Sequence, residues 1–434
     1  MKFLSILFLA LLPTPVYDSN PNHIWNRLYE AFCVRHDESG AAYGVGEIDA
    51  LLWIGTNHLL VSPSHRQAIA VLDEFLRTHA ENQIHDPLKK TLLQHNLWAV
   101  FDWSASRNDN YPLERRELQT RLAEVLYRLA LSESEIKSLP ANYAAAVASR
   151  TIADHYNDAE PEKAFLPPDL LQPKGPWVRI TANFEPLAPA HVFQCSGRSS
   201  FFIFIHLPQG RAATINYLKR LWEFENPWIG SEMEHGDNPN LPQFPEGTQV
   251  ALLRQMNVFG TGREIVGTPI TESLQIRVYR SVPSRIDENR IDRDWDLARK
   301  EQSFYEIRLD QRQLLAMQAG GLHAFSRDAK EFATFSTQGR DPFEHHGENE
   351  GSPILQRCVA CHSAPGIHSL QSRAQLMKPN RGQVDPQHGN DPDREPYGPW
   401  WQDGRGVAWK AERYDWGLLN GLWPPPGKDM RGMP

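Results

Sequence analysis

Cysteine is scarce in this sequence, with only 4 in 434 residues. That number is too small for a disulfide-rich scaffold, so a chain of this length must gain its stability from a buried core. An excess of basic residues is also lacking, because 45 Lys and Arg face 53 Asp and Glu and give a formal net charge of -8. Without a basic field to attract phosphate backbones, nucleic acid is excluded as an expected partner.

Long apolar runs are absent after the N-terminus, which excludes a multi-span membrane protein. The sequence also has no P-loop, dinucleotide fingerprint or catalytic triad. Cys195 to Ser199 precede an apolar strand but lack the G-x-S-x-G pattern of a nucleophile elbow, so a turn is favoured there. The common nucleotide-binding and hydrolase motifs therefore do not account for this chain.

The N-terminus has the pattern of a secretory signal peptide. Lys2 supplies the positive end, Phe3 to Leu12 form an apolar run, and Pro13 interrupts it. We expect a signal peptide over residues 1–20, a periplasmic or otherwise extracytoplasmic protein, and no integral membrane span after cleavage. An uncleaved anchor and a short buried helix are the alternatives.

Apolar residues at three- and four-residue spacings predict a helical domain over residues 21–155. Ser132 and Glu135 form a capping-box signature for a further short helix. An acidic, proline-rich stretch between residues 156 and 175 is predicted to be a linker or an irregular crossing segment. The predicted long helices are Asp49 to Leu60, Pro63 to Ala80, Pro87 to Trp103 and Leu113 to Leu131.

The periodicity then changes to that of strands, which predicts an antiparallel β-rich domain over residues 175–320, sandwich-like or barrel-like. Gly260 to Gly262 are placed as a hairpin connection, and Ala212 to Phe224 are predicted to form one helix between strands. The predicted strands are Val178 to Asn183, Ser199 to Leu207, Thr248 to Phe259, Ile265 to Pro269, Ser273 to Val282 and Ser303 to Leu309, the last followed by a helix capped by Asp310.

The strongest chemical signal is Cys358-Val359-Ala360-Cys361-His362, a C-x-x-C-H sequence that is typical of c-type haem attachment. The spacing lets both thiols reach the two vinyl groups of one porphyrin from a single helical turn, while the adjacent His presents its ring to the iron. A disulfide within the motif is one alternative. Another is half of a zinc site, for which the neighbouring histidines are His345, His346, His368 and His388.

This motif, the helix-like approach Ser352 to Arg357 and the helix-like stretch Val407 to Gly421 resemble the cytochrome c family. The resemblance covers about residues 340–434 and implies a mostly α-helical domain with one covalent haem c. It assigns Cys358 and Cys361 to the thioether bonds and His362 to the proximal position. In that family the sixth ligand is usually a Met, for which Met377 is the first candidate, although it follows His362 by only 15 residues (377 minus 362). The remaining candidates are His368, His388, Met430 and Met433.

The fold class expected is therefore multidomain α+β: a helical domain, an antiparallel β-rich domain and a cytochrome c-like domain. We expect an extracytoplasmic c-type cytochrome that transfers single electrons to or from a redox partner protein. The alternatives are a haem-dependent oxidoreductase with a substrate site in the N-terminal domains, and a secreted binding protein whose motif is a disulfide. Whether Cys33 and Cys195 form a bridge or remain two buried thiols is left open.

The polar stretch from Gly339 to Glu348 has few apolar residues, which predicts that the haem module is separable from the preceding domains. The competing expectation is that the tail packs on those domains through its five Trp residues, which would favour a shared pocket. Those residues are Trp400, Trp401, Trp409, Trp416 and Trp423.

Overall fold

A computed structural model describes most of the chain. The described residues are 15–37, 40–49, 52–53, 56–106, 110–180, 188–230, 235–282, 298, 300–326, 328–329, 343, 354–370 and 404–424. Met377, His388, His345, His346, Met430 and Met433 lie outside these ranges, as does the apolar run of the expected signal peptide.

The first part of the chain is helical, as the sequence predicts. In the second helix, Ala68, Leu72 and Phe75 follow helical spacing and all three are buried. The capping box of Ser132 and Glu135 is present. The helices are α1 (Ile24–Cys33), α2 (Ser64–Arg77), α3 (Pro87–Ser104), α4 (Pro112–Arg128), α5 (Glu133–Lys137) and α6 (Asn142–Ser149).

The helix predicted over Asp49 to Leu60 is wrong. Among its described residues only His58–Leu60 are helical, and they form a single 3-10 turn. Asp49 has a φ of 55°, outside the right-handed helical region, and its carboxylate binds Arg198 and Arg254. A long-range ion pair therefore holds the start of this segment in an irregular conformation.

The middle of the chain forms an antiparallel six-stranded sheet in the order β10-β9-β8-β7-β4-β3. The predicted hairpin is confirmed, since Phe259 pairs with Ile265 across the turn. The strands of this sheet are β3 (Val178–Ile180), β4 (Ser199–His206), β7 (Gln249–Phe259), β8 (Ile265–Tyr279), β9 (Gln302–Leu309) and β10 (Leu322–Ala324). The two-stranded sheets in the described ranges pair β1 (Arg35–His36) with β2 (Ala42–Tyr43), and β5 (Trp228–Gly230) with β6 (His235–Asp237).

Two details of the β prediction differ from the structure. The two strands expected on either side of Ile270 form one strand, β8, whose pairing with β7 shifts register around Gln255 and so accommodates Pro269 in an otherwise regular ladder. The sandwich or barrel is wrong for the described part of the chain, because the sheet is open and helices cover its faces. These helices are α7 (Pro189–Gln194), α8 (Arg211–Trp222) and α9 (Gln311–Leu315), together with helices from the other parts of the chain.

The two faces of the sheet have different surroundings because side chains alternate along each strand. Leu253, Leu274 and Ile307 point toward the helical part and share one hydrophobic core with Leu97 and Trp98. On the other face, polar and apolar residues of the same strands line a cavity. The sheet thus separates this hydrophobic core on one face from the cavity on the other.

The C-terminal helices pack on the first part of the chain. The single helix expected over Val407 to Gly421 is divided into two helices, α11 (Gly404–Ala411) and α12 (Tyr414–Leu422). They follow helix α10 (Ile354–His362) in the chain. The Trp416 ring lies 5.6 Å from that of Trp98, and Trp423 Nε1 donates to the Ala123 carbonyl at 2.9 Å. This packing favours the alternative in which the tail and the preceding domains depend on each other.

The fold begins earlier than the residue 21 expected from the sequence. Tyr17 is fully buried between Trp25 and Tyr29, and its backbone N–H donates to the Asn26 side chain at 2.8 Å. Tyr17 lies within residues 1–20, the range of the expected signal peptide. Within the described residues, no helix is both long enough and apolar enough to cross a membrane.

Candidate functional site

Helix α10 carries the C-x-x-C-H motif along one wall of the cavity. Its first N–H, that of Ile354, donates to the Ala329 carbonyl at 2.9 Å, and buried Val359 packs against Phe304 of β9. Cys358 and Cys361 are three residues apart and therefore lie on the same side of the helix. Both cysteines and His362 line the cavity, and neither thiol is in a disulfide.

The His362 ring is oriented by a backbone carbonyl. Its Nδ1 lies 2.8 Å from the carbonyl oxygen of Ser369, which can only accept a hydrogen bond. Nδ1 therefore carries the proton, and the lone pair of the neutral ring is on Nε2. This is the tautomer and the outer-shell hydrogen bond that metal-binding histidines usually have.

The Ser369 carbonyl is itself held by the sheet. The Ser369 hydroxyl lies 2.7 Å from the Tyr279 hydroxyl and accepts from Arg277 Nη1 at 3.0 Å. The turn that leads to it favours glycine, because Gly366 has a φ of +53° and a Cβ there would displace the Gln243 side chain, whose Oε1 would lie 1.9 Å away. Strand β8 and this turn thus fix the orientation of the His362 ring.

Replacing Ser369 by alanine should lower the free energy of unfolding by about 1 to 3 kcal/mol, because the buried Tyr279 hydroxyl loses its partner. Chemical denaturation measures this change. Thr120→Ala, which removes an exposed hydroxyl bonded only within its own helix, is the matched control and should change stability by less than about 0.5 kcal/mol. Equal effects of the two substitutions would contradict the role given to Ser369.

The cavity has a volume of about 760 Å³, within the range typical of sites for small molecules and cofactors. It lies between the sheet and helices α7 and α10. Its lining combines apolar residues with cationic and acidic groups. The apolar lining includes Phe201, Ile203, Leu252, Phe304 and Leu355; the polar lining includes Asp49, Arg254, Glu272, Gln275, Arg277, Glu306, Arg308 and His323.

A second histidine, His191 on α7, lines the cavity beside His362. The two rings are nearly parallel, with an angle of 8° between their planes, and their centroids are 6.4 Å apart. The His191 ring also contacts Phe201, at a centroid distance of 5.9 Å. Burial, with smaller contributions from Arg277 and Arg254, lowers the pKa of His191 to about 4, so its imidazole is neutral at pH 7.

The acidic groups of the cavity wall belong to a buried ionic network. Arg254 binds Glu272 at 2.6 Å and Asp49 at 2.8 Å, and His95 Nε2 lies 2.8 Å from Glu272. Burial alone would raise the pKa of Glu272, but Arg254 and His95 outweigh it and hold that pKa at about 2. Glu272 is therefore ionised at neutral pH, and the wall of the cavity carries fixed charges.

In the structure, the cavity is lined by Cys358, Cys361 and His362. His368 is buried in the turn after the motif and is not among the residues that line the cavity. Cys195 lines the cavity, and its thiol donates a hydrogen bond to the Val192 carbonyl of α7 at 3.5 Å. Cys33 and Cys195 are both buried and are not bridged.

Sequence reasoning missed His191 and the charged face of the sheet. A signal for the charged face was present in the sequence, because Gln275 and Arg277 alternate with the apolar Leu274, Ile276 and Val278 along β8. Among the described residues, no group of three or more His, Cys, Asp or Glu is arranged to hold a metal ion.

No protein-family model, curated protein or solved structure matches this chain.

Proposed function

We propose that this protein is a c-type cytochrome that binds one haem covalently through Cys358 and Cys361, with His362 as the proximal ligand. The observation that carries the proposal is the His362 tautomer, fixed by the Ser369 carbonyl, beside two unbridged thiols in one cavity. A disulfide needs no oriented histidine. A zinc ion would need more protein donors than the described residues gather here.

The lining of the cavity fits the chemistry of haem. A porphyrin supplies four nitrogen donors of its own, so the protein needs to add only one or two. Its ring is apolar and its edge carries two carboxylates, and the cavity offers Phe201 and Leu252 for the first and Arg277 and Arg308 for the second. The volume of about 760 Å³ is of the right class for such a cofactor.

Bound haem supplies one-electron redox chemistry, and the protein sets its potential through ligation, burial and hydrogen bonding. The Ser369 carbonyl, which accepts from His362 Nδ1, increases the basicity of that ligand. We infer a role as an extracytoplasmic or periplasmic electron carrier that meets a redox partner protein, with residues 340–434 supplying a cytochrome c-like segment. Covalent haem attachment and the N-terminal signal pattern support that location.

One observation favours a second candidate, a haem-dependent oxidoreductase. The cavity extends from the motif to Glu306, Arg308 and His323, which are polar groups on the sheet. Such groups can orient a small polar substrate beside a redox cofactor. Turnover of a substrate in the presence of an electron acceptor would favour this candidate over a simple carrier.

The test of the proposal is the mass of the protein matured in a periplasm that attaches haem. We expect the mature chain to exceed its apo mass by one haem and to give a pyridine haemochrome spectrum after denaturation, because thioether bonds survive unfolding. The variant with both Cys358→Ala and Cys361→Ala should lose all covalent haem.

The matched control is Cys33→Ala, which changes a buried cysteine outside both the motif and the lining of the cavity. It should retain one haem for each chain. A wild-type protein that carries only the apo mass after maturation would refute the proposal. If that protein contained one equivalent of zinc, the motif would instead be part of a zinc site.

A further inference from the structure

We propose that His191 is the second axial ligand of the haem iron, opposite His362, in place of Met377. This inference rests on the proposed function. It assigns the sixth position to a residue of the sheet-containing part of the chain, 171 residues before the proximal ligand (362 minus 191).

The geometry of the two rings carries the inference. Metal–imidazole bonds are about 2.0 Å long and a ring nitrogen lies about 1.1 Å from its centroid, so two imidazoles on opposite sides of one metal have centroids about 6.2 Å apart. The rings of His191 and His362 have centroids 6.4 Å apart and planes within 8° of each other. The separation and the near-parallel planes match those of two imidazoles that share one metal ion.

The position of His191 is fixed by its short helix. Pro189 begins α7, the His191 N–H donates to the Ala188 carbonyl at 2.9 Å, and the His191 carbonyl accepts from Cys195 at 3.4 Å. Its ring packs against Phe201 of β4.

The other histidine of the cavity is too far away to serve the same metal. Phe201, Arg254, Ser273, Arg308 and His323 form one cross-strand row over five adjacent strands. Four strand spacings of about 4.8 Å place His323 about 19 Å from Phe201, on which His191 packs. His191 is therefore the cavity histidine that can share a metal with His362.

The experiment compares spin states in the matured full-length protein. Ferric wild type should give a low-spin spectrum by electron paramagnetic resonance and optical absorption, without the long-wavelength band of methionine ligation. His191→Ala should convert this signal to high-spin at an unchanged haem content, and added imidazole should restore the low-spin signal. Restoration by imidazole also establishes that the variant is folded around its haem.

His323→Ala and Met377→Ala are the matched controls, and both should remain low-spin. A low-spin signal that persists in His191→Ala, a high-spin wild type, or a methionine band that disappears in Met377→Ala would each overturn the inference while the haem content upholds the proposed function. A wild type without haem would overturn both. The two failures are thus distinguished by the pyridine haemochrome assay on the same samples.

Discussion

Replacing Asp102 by alanine should destabilise the protein by about 3 to 5 kcal/mol, the usual cost of removing one partner from a buried ion pair. Asp102 Oδ2 accepts from Lys410 Nζ at 2.7 Å and from Arg198 Nη1 at 2.6 Å, and the side chains of all three residues are buried. Burial raises the pKa of Asp102, and the two cations oppose that rise. Without the carboxylate, two buried cations each lose a partner.

The position of this group explains why the effect should extend over the whole fold. Asp102 lies on α3, Arg198 directly before β4, and Lys410 on the C-terminal helix α11. Arg198 continues to Asp49 at 2.6 Å, and Lys410 to Asp415 at 3.0 Å. One carboxylate therefore links the helical part, the sheet and the tail.

Chemical denaturation of Asp102→Ala and wild type measures the change. Asp73→Ala is the control, because it breaks an ion pair with Arg121 in which both side chains are partly exposed. Its cost should be at most about 1 kcal/mol. A change below 1 kcal/mol in Asp102→Ala would mean that the tail does not depend on this network.

Features set by neighbouring residues could be predicted from the sequence. Asp86 and Pro87 mark the start of α3, because Asp86 accepts from the Leu88 N–H at 2.8 Å and Pro87 occupies the first turn. The hairpin between β7 and β8 was also predicted, since its turn residues and flanking strands are adjacent in the chain. For the same reason the motif was found, because Cys358, Cys361 and His362 fit within five residues.

Features that depend on distant residues could not be predicted. Asp49 is drawn out of a helix by Arg198 and Arg254, which lie 149 and 205 residues away. The cavity is likewise assembled by strand pairing, which brings Arg254 opposite Ser273 and Ser273 opposite Arg308. Periodicity in one strand indicates that a residue is on a face but does not identify its neighbours on that face.

The sequence also suggested a loosely attached tail, because the stretch before the motif is polar. That argument concerns only the connecting stretch from Gly339 to Glu348 and says nothing about the contacts that the tail itself makes. The attachment comes from Trp416, Leu419 and Trp423, which follow the motif by more than fifty residues and share a core with Trp98 and Phe259. The sequence does not identify which residues the Trp side chains of the tail pack against, since a buried Trp fits many apolar surroundings.

Trp423→Ala tests this attachment directly, and we expect it to lower the free energy of unfolding by about 3 to 5 kcal/mol. The ring is 5% exposed, packs 5.2 Å from Phe259 and 5.7 Å from Trp416, and donates to the Ala123 carbonyl. Trp409→Ala is the control, because that half-buried ring contacts the exposed Phe193 and should cost about 1 kcal/mol. Chemical denaturation gives the two costs, and limited proteolysis should cut the tail faster in Trp423→Ala alone. If both variants unfold like wild type, the tail folds as a separate module, and the proposed haem site does not depend on the contact between the tail and the rest of the chain.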